Sequence, residues 1–352
     1  VPDPAASADP FASADPFASA DPFASVGAAA LLAHWGLPAP DAVHHPGEGT
    51  NNSLVVVEVA GASYVLRGYQ NAAIARVAAE HRFLAALAAA GLPFAVPSPI
   101  PTPDGRTCVP TPNGPAALFH YLPGRPPRRD AGTLVVAGRM LGDLDRALAA
   151  LPNAVSPYDW RHPLSEVHPA VPDLAELAAA LATALPTTAG EDPGWLPAAA
   201  ERADVAYFRL WETLPVQIVH GDFALSNTLV HDDGSPSAVL DFEVAGLGLR
   251  VTDLVVAVSL CTDGWWTPGA AAAADLLCRA YAERVTLTSA EWAAFPDLLR
   301  IRALESLVWR CGRWRLGQAS LDEVRDRFDT ARRIERWLDT HGPTLVDDLL
   351  HR

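Results

Sequence analysis

The chain has 352 residues, half of them hydrophobic, with 41 acidic against 26 basic side chains and a formal net charge of −15. That length carries a large core or two packed lobes, and the acidic balance excludes a nucleic-acid backbone as partner, because phosphate binding needs clustered positive charge. All the basic side chains are Arg and none is Lys, so any role that a lysine would fill falls to a guanidinium.

Residues 7 to 24 repeat Ser-Ala-Asp-Pro-Phe-Ala in tandem. A six-residue unit with a central proline builds neither a helix nor a packed core, so residues 1–25 read as a low-complexity tail. A short helix from Val26 to Trp35 is expected to open the folded region. Gly47-Glu48-Gly49-Thr50-Asn51-Asn52 then makes a turn before a β-rich run from Ser53 to Val59. Ser63 to Arg67 follows after Gly61-Ala62, which completes a hairpin. Ala72 to Ala90 reads as a helix ended by Gly91 and Pro93. Arg106 to Val109 and Ala116 to Tyr121 are further strand candidates. Beyond Leu122-Pro123-Gly124 the pattern is mainly helical: Thr133–Leu151, Asp173–Leu185, Pro197–Leu214, Val251–Leu260, Ala270–Val285, Ala290–Leu316 and Leu321–Asp339. Cys108, Cys261, Cys278 and Cys311 are widely spaced and form no metal-ligand pair, as expected of reduced thiols in a cytoplasmic protein. The longest apolar runs are too short or too Ala-rich for a signal peptide or a membrane span.

Two polar clusters interrupt the helical half, each behind a short hydrophobic run. The first is Val219-His220-Gly221-Asp222-Phe223-Ala224-Leu225-Ser226-Asn227, and the second is Val239-Leu240-Asp241-Phe242-Glu243. Strand ends can carry such loops to one point and bring together a base and two hard oxygen ligands. That grammar fits phosphoryl transfer, in which a carboxylate orients the attacking hydroxyl and oxygen donors hold magnesium. Asp222 is the candidate base, and Asn227 and Asp241 are the candidate metal ligands. Glu243 stands next to the metal or substrate, or on a solvated rim.

His-Gly-Asp-x-x-x-x-Asn followed by Asp-Phe-Glu resembles the aminoglycoside phosphotransferase superfamily, the small-molecule branch of the protein-kinase fold. The resemblance implies an α+β, bilobal protein-kinase-like fold, with a β-rich N-lobe over residues 26–121 and a mainly helical C-lobe over residues 122–352. It implies ATP and Mg2+ as well. Arg67 then occupies the place of the phosphate-positioning lysine, and Glu80 matches the helix glutamate that pairs with it; Arg suits this because it binds phosphate or carboxylate bidentately. Gly49, Thr50, Asn51 and Asn52 would offer backbone and side-chain donors to the phosphates, although a Gly/Asn cluster taken alone is an ordinary turn. Phe119 and Tyr121 would line the adenine slot. His220 would tie the loop down, and Asp253 would brace it by accepting backbone hydrogen bonds.

The acceptor is harder to read. On the helix through Ala303–Leu316, Leu304, Leu307, Val308 and Cys311 form a core stripe, while Arg302, Glu305, Trp309 and Arg313 share a second face. Asp263, Trp265, Trp266, Glu305 and Trp309 form the candidate set for an amino group, through charge pairing and cation–π contact. The segment from Gly91 to Arg129 resembles homoserine-kinase-like members, which favours a homoserine-like amino alcohol over an aminoglycoside. An aminoglycoside, as a polycation, requires a strongly acidic cleft; a compact amino alcohol requires a smaller pocket with one carboxylate and one Arg. A non-catalytic nucleotide-binding module is disfavoured by the intact Asp222, Asn227 and Asp241. A phosphohydrolase would need further clusters to hold two metals.

Overall fold

The computed structural model describes residues 27–45, 52–69, 72–185 and 193–351. The amino-terminal repeat and Gly49, Thr50 and Asn51 of the proposed phosphate loop lie outside them. The described residues form the expected α+β arrangement, with an antiparallel sheet at the amino-terminal end and a helical carboxy-terminal part.

The sheet holds β1 (Ala42–His44), β2 (Asn52–Val59), β3 (Ala62–Tyr69), β4 (Val109–Thr111) and β5 (Gly114–His120) in the order β1-β2-β3-β5-β4. Alternation along the strands separates two faces. Val55, Val57, Val59, Leu66, Ala116 and Leu118 pack outward against Leu31, Leu32 and Trp35, from α1 (Ala28–Leu32) and the turn after it. Val65, Arg67, Tyr69, Ala117 and Phe119 occupy the other face, toward α2 (Ile74–Ala88). The hairpin turns at Ala60-Gly61, one residue earlier than expected, with both residues at positive φ (51° and 79°). A two-residue hairpin loop of this twist needs positive φ at both positions, and Val59 pairs directly with Ala62 to close it. The second hairpin also differs from expectation. Its first strand is Val109–Thr111, not Arg106–Val109, because the Thr102 hydroxyl and the Asp104 carboxylate hold Arg106 in a local turn.

The helical part is built on α3 (Ala131–Ala149), α4 (Leu174–Ala184), α5 (Trp195–Trp211), α6 (Thr252–Thr262), α7 (Ala271–Ala282), α8 (Ser289–Ala293), α9 (Phe295–Arg315) and α10 (Leu321–Leu350). Asp130 and Asp173 cap α3 and α4 by accepting backbone N–H bonds. α3 and α7 approach closely: a Cβ on Gly138 would lie 2.6 Å from the Leu277 carbonyl. The single helix expected over Ala290–Leu316 is two, α8 and α9, which meet at Ala294. Pro296, which lacks an N–H, stands in the first turn of α9 and opens a new helix instead of extending the old one. α10 continues past Asp339 and through Pro343 to Leu350, because Leu345 and Leu349 remain buried on the same side as Leu338. Two small ladders complete this part: β6 (Val216–Val219) with β9 (Gly246–Leu249), and β7 (Thr228–Val230) with β8 (Pro236–Val239). Their ends carry both polar clusters.

Candidate active site

β6 is buried through Ile218 and Val219, and His220-Gly221-Asp222 leave its end. Gly221 has φ +79°, and a Cβ there would lie 2.5 Å from the Trp160 ring; both facts demand glycine. The loop is fixed from below. Asp253, fully buried in the first turn of α6, accepts hydrogen bonds from the backbone N–H groups of His220 (2.6 Å) and Gly221 (2.7 Å). The His220 ring bridges the two loops. Its Nδ1 accepts from the Asp222 N–H at 3.2 Å, and its Nε2 lies 3.0 Å from the Leu240 carbonyl, an arrangement that uses the Nε2–H tautomer. Phe242 packs edge-on against this ring at 4.6 Å and reaches Phe83 of α2 at 5.9 Å. The second loop is thereby tied both to the first loop and to the sheet-side helix.

Asp222 is partly exposed. Asn227 donates its amide N–H groups to the Asp222 carbonyl (2.9 Å) and carboxylate (3.2 Å), which leaves the amide oxygen as its remaining acceptor. Asp241 stands two residues past β8 at φ 60°, a left-handed conformation that costs a non-glycine residue energy, and its carboxylate meets Arg67.

From the sheet, Arg67 reaches across to the same place. Its guanidinium lies 3.2 Å from Asp241, 3.1 Å from Glu243 and 3.7 Å from Glu80 of α2, and it sits 4.8 Å from the centre of the Tyr69 ring. Burial alone would lower its pKa, but Tyr69 and the three carboxylates outweigh burial and raise it. Burial raises Glu80, with Arg67 opposing. Burial and then the nearby Arg67 depress His81, which accompanies Glu80 on α2, to about 4.

On the helical side, Arg302 of α9 lies 3.4 Å from Asp222 and 3.9 Å from Glu305. Glu305 is buried, and desolvation raises its pKa while Arg302 works to lower it. Spacing in the sequence places Arg302 only on a helix face, without a role. A basic residue three positions before an acidic one, on the helix face opposite the Leu304–Cys311 stripe, is the available signal.

The remaining candidates scatter. Trp265 does not reach the cleft: it is 7% exposed, stacks edge-on against Phe295 and donates its indole N–H to Asp275 at 2.9 Å. Its large apolar ring is held in the helical core, which removes it from the acceptor set. Trp266 and Asp263 line a cavity beside Arg302, and Asp263 pairs with Arg129. Trp309, 40% exposed, packs edge-on against His168 at 5.0 Å. Phe119 is buried against His81 at 5.4 Å, and Tyr121 lies one residue beyond β5 and is 45% exposed. Of the proposed phosphate loop, only Asn52 is described, as the first residue of β2.

This geometry coincides with what comparison with known proteins finds. The phosphotransferase enzyme family model matches residues 43–295. A homoserine kinase of Caulobacter vibrioides is 29% identical over 299 residues, covering 81% of this chain and 86% of the relative. Among solved structures, a microcompartment-associated aminopropanol kinase aligns with TM-score 0.65 at 19% identity, over 88% of this chain and 96% of that one. An amicoumacin kinase, solved with AMP-PNP and Ca2+, aligns with TM-score 0.63 at 15% identity, over 84% and 89%. The chain belongs to the phosphotransferase enzyme family and is a small-molecule kinase of protein-kinase-like fold.

Proposed function

We propose that the chain moves the γ-phosphoryl group of ATP, with Mg2+, to the hydroxyl of a small amino-bearing metabolite of homoserine-like size. The observation that carries this reading is the position of Asp222. Its carboxylate accepts from Asn227, whose backbone carbonyl accepts from the Leu240 N–H beside Asp241, and it meets the Arg302–Glu305 pair on the helical side. Residues 26–121 form the nucleotide lobe, and residues 122–352 carry the catalytic loops and the acceptor.

The donor set fits magnesium, which prefers hard oxygens and takes one or two of them from protein: the Asp241 carboxylate and the free amide oxygen of Asn227. When bound there, the ion would offset the charge of the nucleotide phosphates. Arg67, anchored by Glu80, is the phosphate-positioning cation, and Glu243 steadies it. Asp222 accepts the acceptor hydroxyl's proton and aims the oxygen, a role worth roughly 10²–10⁴-fold in rate. His220 and Asp253 keep that carboxylate in place.

The names of the homoserine kinase and aminopropanol kinase relatives support a compact amino alcohol. A polycationic aminoglycoside is the second reading, and the guanidinium of Arg302 beside Asp222 weighs against it. Four buried free cysteines support a cytoplasmic setting. Among the described residues no helix is long and apolar enough to cross a membrane.

A coupled ADP-release assay tests the proposal, with ATP and Mg2+ over homoserine, choline, other amino alcohols, sugars and aminoglycosides. Turnover confined to small amino alcohols is expected. Turnover on aminoglycosides alone would favour the second reading, and nucleotide binding without turnover on any alcohol would sink the first.

A further inference from the structure

A cavity of about 320 Å³ on the helical side is lined by the end of α6, the turn after it, α9 and α10, and it shares Arg302 with Asp222. That volume is at the small end for ligand sites and suits a molecule the size of an amino acid. Phosphoryl transfer does not account for its lining. Arg302, Arg327 and Arg333 converge on it, together with Asp263, Asp326 and Trp266.

The charges do not balance locally. Asp263 is held by Arg129 from outside the cavity's arginine set. Arg302 is shared between Asp222 and Glu305. Asp326 is left facing Arg327 at 3.7 Å through an exposed carboxylate, and Arg333 forms no ion pair among the described residues. The pKa of Arg327 is lowered from its ordinary value, first by burial; Asp326 opposes this, while Arg310 and Arg302 repel. The half-buried Arg302 and Arg327 repel one another, a strain that an anion relieves, and a carboxylate matches the planar donor pattern of a guanidinium.

Arg302 borders both this cavity and Asp222. A molecule seated in the cavity therefore has one end within a side chain's reach of the proposed base. We infer that the cavity is a carboxylate subsite: Arg327 and Arg333 bind the carboxylate of a small hydroxy amino acid while its hydroxyl is presented to Asp222. Asp263 and Trp266, on the same wall, offer the ammonium group a carboxylate and an aromatic face. The inference rests on the reading of Asp222 as the base, and it narrows the acceptor from amino alcohols in general to those that carry an anionic group.

The test compares L-homoserine with 3-aminopropan-1-ol, which is the same molecule without the carboxylate. With the full chain, ATP and Mg2+, kcat/KM for homoserine should exceed that for aminopropanol by about tenfold or more, as expected where a polar site rejects an analogue lacking the group it binds. Arg327→Gln and, separately, the exposed Arg333→Gln should each reduce that ratio severalfold, chiefly through KM for homoserine, with Arg327→Lys recovering part of the loss. Equal or better use of aminopropanol by the unmodified chain, or an unchanged ratio in both Gln variants, overturns the subsite. Calorimetric titration of Asp222→Asn with each compound separates the subsite from the chemistry. Homoserine binding that Arg333→Gln weakens supports the subsite even where turnover is absent. Failure of homoserine to bind overturns the subsite, whatever other alcohol is phosphorylated.

Discussion

The two walls that face Asp222 use the same side chain in opposite ways. On the sheet wall, one arginine, Arg67, is buried among Glu80, Asp241 and Glu243 and above the Tyr69 ring. On the helical wall, three arginines line one cavity, with Asp326 as the carboxylate not tied elsewhere. The first wall is over-supplied with negative charge and suits a metal ion and a cation-mediated hold on phosphates. The second is under-supplied and suits an anionic end of an acceptor. A chain with no lysine can therefore build two sites of opposite demand from arginine alone, by varying how many carboxylates surround each guanidinium. Asp222, where the walls meet, stands on a loop held by the buried Asp253 and by the His220 ring.

The strongest way to break this picture is at the junction of the walls. Asp222→Asn should lower kcat by roughly 10²–10⁴-fold, while nucleotide affinity, measured by titration, stays close to that of the unmodified chain. Near-normal turnover would mean that another group serves as base. Asp253→Ala acts beneath the junction. It strands the buried N–H groups of His220 and Gly221, at about 1–3 kcal/mol each, and should shift the denaturation midpoint accordingly. A neutral result would show that the loop does not rely on α6.

Arg67→Lys sharpens the sheet wall. The charge is retained but a lysine ammonium cannot bridge three carboxylates as the guanidinium does, so KM for ATP should rise about tenfold, roughly the loss of one charge-assisted contact. An unaltered KM would make Arg67 a structural counter-ion only. Trp265→Phe examines the far side of the helical wall. Loss of its bond to Asp275 should cost about 1 kcal/mol of stability and leave the acceptor KM as it was; a changed KM would return Trp265 to the acceptor site.

The smallest effect concerns the footing of the loops. Asp145 is buried next to Asp253 and accepts a bond from the Tyr281 hydroxyl, and burial, then Asp253, hold its pKa well above the ordinary carboxylate value. A carboxyl whose folded pKa is raised contributes stability that is fully present below its unfolded pKa and lost as pH rises through the folded one. Asp145→Asn mimics the protonated group and does not titrate. Its denaturation midpoint should therefore improve relative to the unmodified chain as pH is raised. A gap independent of pH would show that Asp145 is ionised in the fold throughout.

What the sequence determined by itself was local. The Asp222, Asn227 and Asp241 spacing, the apolar runs behind each polar loop and the core stripe of Leu304, Leu307, Val308 and Cys311 are short-range patterns, and so is the order of strands before helices. Helix ends were legible only where the chain's own chemistry set them. Pro296 moved a boundary that apolar periodicity concealed, and Leu345 and Leu349 carried α10 past a proline because burial outweighed the lost hydrogen bond. Only the tertiary structure decided which side chains meet. Asp222 and Arg302 are 80 residues apart and Arg67 and Asp241 174 apart, and no periodicity encodes such encounters. Trp265 shows the converse: adjacent in sequence to a cavity residue, it faces the core, because successive residues at a turn point in different directions and the larger gain lies in burying an indole whose N–H finds Asp275.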